Sequence, residues 1–176
     1  SESGFEGVSV RQIAERANVS HGLLTYHFKS KEMLWRAAAD QLFGMAADWM
    51  EKAMSSCISE DPKDRQRQMI REMVYFNAEH PEMMRFMMEA GKEDDDRTRW
   101  LAETHIRPRY LMMTQIMRGI SKADMPHAFY SLVSACGAIF CVPTECKFTT
   151  GINPQSKNAI KRHAEFLANL MVPNPD

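Results

Sequence analysis

An excess of charge of one sign is what this 176-residue chain most plainly lacks: 22 lysines and arginines stand against 23 aspartates and glutamates, for a net charge of −1. That balance excludes a globally basic nucleic-acid binder, so any such role must rest on a local motif. Residues 1–40 are balanced as well, with Arg11, Arg16, Lys29, Lys31 and Arg36 against Glu2, Glu6, Glu15, Glu32 and Asp40. Cysteine is sparse. Cys57, Cys136, Cys141 and Cys146 form no paired-cysteine zinc pattern, and the last three are spaced five apart, which turns successive thiols to different helix faces. They read as buried or free thiols in a reducing cytoplasm, and the chain is expected to be cytoplasmic. The six histidines show no metal spacing such as HExxH. A glycine-rich phosphate loop, a nucleophile elbow and paired carboxylates in an apolar setting are all missing. The expectation is no catalytic residue, no metal, no cofactor and no enzyme. Internal repeats and strand-like runs are missing too.

Only one long stretch lacks charge, Met125 to Thr144. It does not read as a membrane span. Pro126, His127, Ser131, Ser134 and Gly137 interrupt it and Pro143 ends it. A helix apolar on most sides is instead one buried on most sides.

What the chain does have is core-forming material, at 44% apolar and 26% charged residues, patterned as helix almost throughout. Ser30 caps a helix from Lys31 to about Met54 with Leu34, Ala38, Leu42, Met45 and Trp49 on one face. Asp61-Pro62 opens a helix to about His80, and Pro81 opens a shorter one through Glu89 that Gly91 stops. The acidic run Glu93 to Asp96 suits a helix start, where it faces the positive end of the dipole. That helix should reach Ile120, kinked or split at Pro108. Asp124 and Pro126 start the next. Asn153-Pro154 starts the last, to about Met171.

The densest local signal lies between Val8 and Lys31, VSVRQIAERANVSHGLLTYHFKSK. Ser9 with Gln12 makes a capping box. Ile13 and Ala17 share an inner face, and small Ala14 allows a close helix crossing. Asn18 tolerates a left-handed backbone. Ser20 caps a second helix whose Leu24 and Phe28 point back at the first. This is a helix-turn-helix, whose second helix enters the DNA major groove.

On these residues the segment VRQIAERANVSHGLLTYHFKSKEML, with the aromatic pair in Tyr26-His27-Phe28 followed by Lys31, resembles the DNA-binding segment of the tetracycline-repressor (TetR) family, over Gly4 to Leu34. Asn18 stands where the family usually has Gly, and Thr25 where an aromatic is frequent. The family carries a whole helix before Gly4-Phe5, so the resemblance implies that such a helix precedes this segment in the whole protein. It further implies an all-α fold: a helix-turn-helix domain at 1–42, then a helical effector-binding and dimerisation domain at 43–176. By this resemblance Ser9, Tyr26, His27 and Lys31 contact phosphates and His21, Leu23 and Thr25 face bases, with Arg11, Gln12 and Gly22 in the same DNA-binding surface.

Two further expectations concern the rest of the chain. Ala128, Ser131, Ala135 and Ala138 form a small-residue face, and Ile160, Ala164, Leu167 and Met171 a second seam. Together they predict a four-helix homodimer interface, as in the family. The fifteen methionines cluster at Met83, Met84, Met87 and Met88 and again at Met112, Met113 and Met117. Methionine suits adaptable apolar surfaces. A small, mainly apolar effector is expected among Trp49, Met73, Phe76, Met87, Trp100 and Met113, with a pendulum-like shift of the helix 31–54. His105 and Arg107, beside Pro108, are expected to be solvated. The function expected is a ligand-responsive regulator, a repressor, on palindromic operator DNA. The alternative is a helical small-molecule binder without a DNA role.

Overall fold

In the computed structural model the chain is described at residue 5, residues 7–117 and residues 119–173, and among these all regular structure is helical. Gly4, Glu2 and Glu6, named in the sequence reading, lie outside the described residues.

Local hydrogen bonds start each of the first helices. In α1 (Val10–Ala17) the Ser9 hydroxyl accepts from the Gln12 amide at 3.2 Å, and the Ser9 amide donates to Gln12 Oε1 at 2.8 Å. The helix stops at Asn18, which is left-handed (φ 53°, ψ 42°), and the Val19 amide turns back to the Ala14 carbonyl at 3.0 Å. In α2 (His21–His27) the Ser20 hydroxyl accepts from the Leu23 amide at 3.1 Å. Ala14 is buried where α2 crosses, and Ile13, Leu24 and Phe28 are half-buried. Ala17, expected on the inner face, is exposed. The seven-residue α2 covers the centre of α1 at Ala14 and leaves its end open.

The long α3 (Lys31–Ser55) is capped by Ser30 and runs unbroken through the position where two domains were divided, between 42 and 43. Its buried stripe is Ala39, Phe43 and Ala53, flanked by half-buried Trp35, Leu42, Ala46 and Trp49. Ala38, assigned inward by spacing, is exposed. The stripe sits one residue further along because large Phe43 and small Ala39 fit the neighbouring helices. The helices α4 (Pro62–Glu79) and α5 (Pro81–Ala90) begin at their prolines as expected.

Pro108 neither splits nor sharply ends its helix. Instead α6 (Asp96–Leu101) passes into a π-helical turn, Ala102–Ile106, and on into α7 (Arg107–Ile116). A proline ring inside a regular helix collides with the carbonyl four residues back. Widening the preceding turn relieves that collision, and the Arg107 amide bonds to Ala102, five residues back. The helix ends at Ile116, short of the expected Ile120. Then α8 (Met125–Cys141) follows, and Pro143, expected only to end the apolar run, opens α9 (Pro143–Thr150) at an angle of 82°. The last helix, α10 (Lys157–Met171), is capped by Ser156 rather than Asn153. No single helix among the described residues is long and apolar enough to cross a membrane.

Two apolar clusters hold the chain. One joins Ile70 and Val74 of α4, Met113 of α7, Phe129, Leu132, Cys136 and Phe140 of α8, and Ala164, Leu167 and Ala168 of α10. The other joins Ala39 and Phe43 of α3, Phe76 of α4, Met83 of α5 and Leu101 of α6. Helix α4 serves both. It is also tied to the chain end by polar bonds: Arg67 donates to the Val172 and Pro173 carbonyls at 2.9 and 3.2 Å, and Arg71 forks onto Glu165 at 3.0 and 2.9 Å. Burying a phenylalanine such as Phe140 or Phe43 contributes about 1.5–3 kcal/mol.

Candidate DNA-reading surface and effector region

The surface expected to read DNA is built on α1, α2 and the start of α3. Leu23 and Tyr26 project from α2 at 50% and 80% exposure. His21, Gly22, Thr25 and His27 are exposed beside them. The Thr25 hydroxyl is engaged with its own helix, donating to the His21 carbonyl at 3.0 Å, so its methyl group and oxygen lone pairs are what it offers outward. Ser9 and Gln12 are exposed but locked in the capping box, and Arg11 pairs with Glu15 at 3.1 Å on an exposed face. Lys31 is half-buried, its Nζ 4.2 Å above the Phe5 ring. The ten residues assigned to DNA therefore lie on consecutive capped elements. Eight of them are polar groups or glycine, and the apolar pair is Leu23 with the ring of Tyr26.

The six residues assigned to an effector are not brought into one group. Trp49, Phe76, Met87 and Trp100 belong with the α3–α6 cluster, whereas Met73 and Met113 belong with the α4–α10 cluster. Within the first group the rings touch. Trp49 meets Phe76 edge-on at 5.8 Å, and Trp35 meets Trp100 at 5.9 Å and Phe86 at 5.2 Å. The Trp49 ring N–H donates to Glu72 at 2.9 Å.

A polar node beside this cluster was missed. His105, expected to be solvated, is buried, while Arg107 is exposed as expected. The His105 ring stacks on Phe43 at 4.5 Å, meets Trp100 edge-on at 5.3 Å, and its Nε2 lies 2.8 Å from Asp40. One turn on, Arg109 donates to the His105 carbonyl at 2.7 Å and to the Phe43 carbonyl at 2.8 Å. Burial pulls the Arg109 pKa below the ordinary arginine value. The readable signal was the four-residue spacing of His105 and Arg109, which puts both on one face of a helix.

On the faces assigned to a second subunit, Ser131 and Ala138 are exposed and Ala128 and Ala135 half-buried. In α10, Ala164 and Leu167 are turned into the chain's own core, at 0% and 3% exposure. Ile160 and Met171 are half-buried against the same core. The exposed apolar side chains of α10 are Phe166 and Leu170, one position off the seam that spacing gave. His163 accounts for the shift, since its Nε2 holds the Ala135 carbonyl at 2.9 Å and turns that side of α10 toward α8. The cysteines are free, as expected; burial pushes the Cys136 thiol up to about 12, which makes it a poor nucleophile.

Residues 1–38 match the family model of bacterial regulatory proteins, tetR family. The match covers the helix-turn-helix segment and the start of α3. A probable HTH-type transcriptional regulator, YttP of Bacillus subtilis (strain 168), is 23% identical over 139 residues, covering 76% of this chain and 67% of its own length. The crystal structure of the TetR family transcriptional regulator PfmR from Thermus thermophilus superposes with a TM-score of 0.63 at 18% identity, over 99% of this chain and 93% of that one. This second likeness establishes the fold: a TetR-type helix-turn-helix followed by a helical domain.

Proposed function

We propose that this chain is a TetR-family transcriptional regulator, a homodimeric, cytoplasmic repressor that binds palindromic operator DNA and answers to a mainly apolar small molecule. One observation carries the DNA reading. The short α2 is fixed at its start by Ser20 and at its approach by left-handed Asn18, yet it presents Leu23, Thr25 and Tyr26 outward. Side chains so fixed and so exposed suit groove reading. In a dimer the two recognition helices would stand about 34–36 Å apart for adjacent half-sites.

Dimer formation is supported by the exposed apolar side chains of α8 and α10, Tyr130, Phe166 and Leu170, together with the exposed small residues Ser131 and Ala138 of α8. Effector control is supported by α3. It begins at Lys31 beside the DNA surface and carries Trp35, Phe43 and Trp49 in the aromatic cluster. A ligand shifts such an equilibrium only through unequal affinity for the two states. A ligand among these rings would act on α3 directly, as a pendulum-like swing.

The test begins with a duplex selected by the unaltered protein from a random pool. Binding should weaken linearly with log salt. Lys31→Ala should weaken binding to all duplexes and lower the salt slope by about one. Thr25→Ala should instead change which duplexes are selected. Uniform loss in both variants would overturn this sorting of phosphate and base contacts.

A further inference from the structure

Asn77 stands in the last turn of α4 with about nine-tenths of its surface buried. Its amide nitrogen donates to the Met73 carbonyl at 2.7 Å, which fixes which way round the carboxamide lies. Its Oδ1 is buried and has no hydrogen-bond partner. A buried carbonyl oxygen without a donor destabilises a fold, and native proteins keep few of them. Leucine has the same number and branching of side-chain heavy atoms and no polar atom to leave unpaired, although its methyl groups make it larger.

The surroundings of this oxygen are apolar and yielding. It faces Gly137 of α8: a Cβ built there would lie 2.8 Å from Asn77 Oδ1 and 2.8 Å from Met84 Cε. Glycine at 137 thus leaves room for two atoms, a fixed oxygen and the free end of a methionine. Polar groups near by are committed elsewhere. The Cys141 thiol, on the next turn of α8, is directed to the Pro81 carbonyl at 3.8 Å, and His80 Nδ1 lies 3.1 Å from Glu82. Of the atoms meeting here, Met84 Cε is the one that moves at low cost, because three rotatable bonds precede it.

We infer that Asn77 Oδ1 is the polar anchor of the effector site, and that the effector is an apolar molecule with one hydrogen-bond donor, a hydroxyl or an amide N–H. The molecule enters where Met84 Cε now lies, between α4, α5 and α8, and its donor meets the oxygen. Met84 swings aside toward the other α5 methionines. This inference rests on the effector reading above and names the chemistry of that ligand. It also moves the site from the α3 rings to the α4–α5–α8 crossing.

The experiment uses two isomeric probes, 1-decanol and methyl nonyl ether, which have the same atoms but differ in the donor. Calorimetric titration of the unaltered chain should show decanol favoured. In Asn77→Leu that preference should shrink about fivefold, the scale of one neutral hydrogen bond. Should leucine not fold there, Asn77→Ala gives the same reading of donor preference. An unchanged preference in whichever variant folds would overturn the anchor while leaving effector binding intact. Binding of neither isomer to the unaltered chain would overturn the effector reading and the anchor with it.

Discussion

The helix-turn-helix and the helical bundle are held by opposite means. In α1 and α2 together one residue, Ala14, is buried. In α4 alone six are: Arg67, Met69, Ile70, Val74, Phe76 and Asn77. The first region stands on bonds between near neighbours, Ser9 to Gln12, Ser20 to Leu23 and Val19 to Ala14. The second stands on contacts between residues far apart, such as Arg67 with Val172 and His105 with Asp40. A small region with little core of its own opens at low free energy. A DNA reader that must adjust to its groove would gain from this, whereas the bundle, in its proposed role of passing on a ligand signal, would need rigid packing.

This contrast can be broken or sharpened by substitution. The largest effect is expected at Phe140, fully buried in the α8 core. Phe140→Ala should cost about 3–5 kcal/mol, read as a lower denaturant midpoint for the bundle. Ala138→Arg comes next. Its position is exposed in the single chain, so the fold should persist while the proposed dimer loses several kcal/mol from an unpaired interfacial charge. Sedimentation should report monomers with unchanged helicity; intact dimers would move the interface elsewhere. Ser20→Ala should cost about 1 kcal/mol, confined to the DNA-reading end. Amide exchange in α2 should quicken with no change in α4. A matching change in α4 would mean that the two regions unfold as one. The smallest effect belongs to Asn18→Gly, which relieves a left-handed backbone at a residue that already tolerates it. Stability should change by no more than about 1 kcal/mol, and exchange at the Val19 amide should report it.

The same contrast governs what could be read from sequence. Capping residues speak only to the next three or four positions, so Ser9, Ser20, Ser30 and Asp61-Pro62 gave their helix starts correctly. The family resemblance was legible for the same reason, being carried by a compact run of residues. Which side of a helix faces inward depends on where another helix crosses it. Spacing therefore chose Ala38 over Ala39, and turned Ala164 and Leu167 outward when both belong to the core. Pro143 can end one helix or open another, and only the packing at Cys146 decides for the second. His105 was the sharpest miss. A histidine beside an arginine and a proline reads as surface until Phe43 and Trp100, from two other segments, enclose it.

The widened turn at Ala102–Ile106 has a consequence for insertions and deletions. A regular helix advances about 100° per residue, so twelve residues would leave two side chains some 120° apart around the rod. Leu101 and Met113 are twelve apart, yet they serve clusters that lie side by side along it. A π-turn absorbs one extra residue, which returns Met113 to within roughly 20° of Leu101. The turn works as a phase corrector that lets one rod close two cores. Losing a single residue from it would leave a regular helix of eleven steps with the same phase, whereas losing one from a regular turn, as in the middle of α4, would rotate everything after it by about 100°. Within this rod, the widened turn is therefore the place where one residue can be lost without turning the two cores apart.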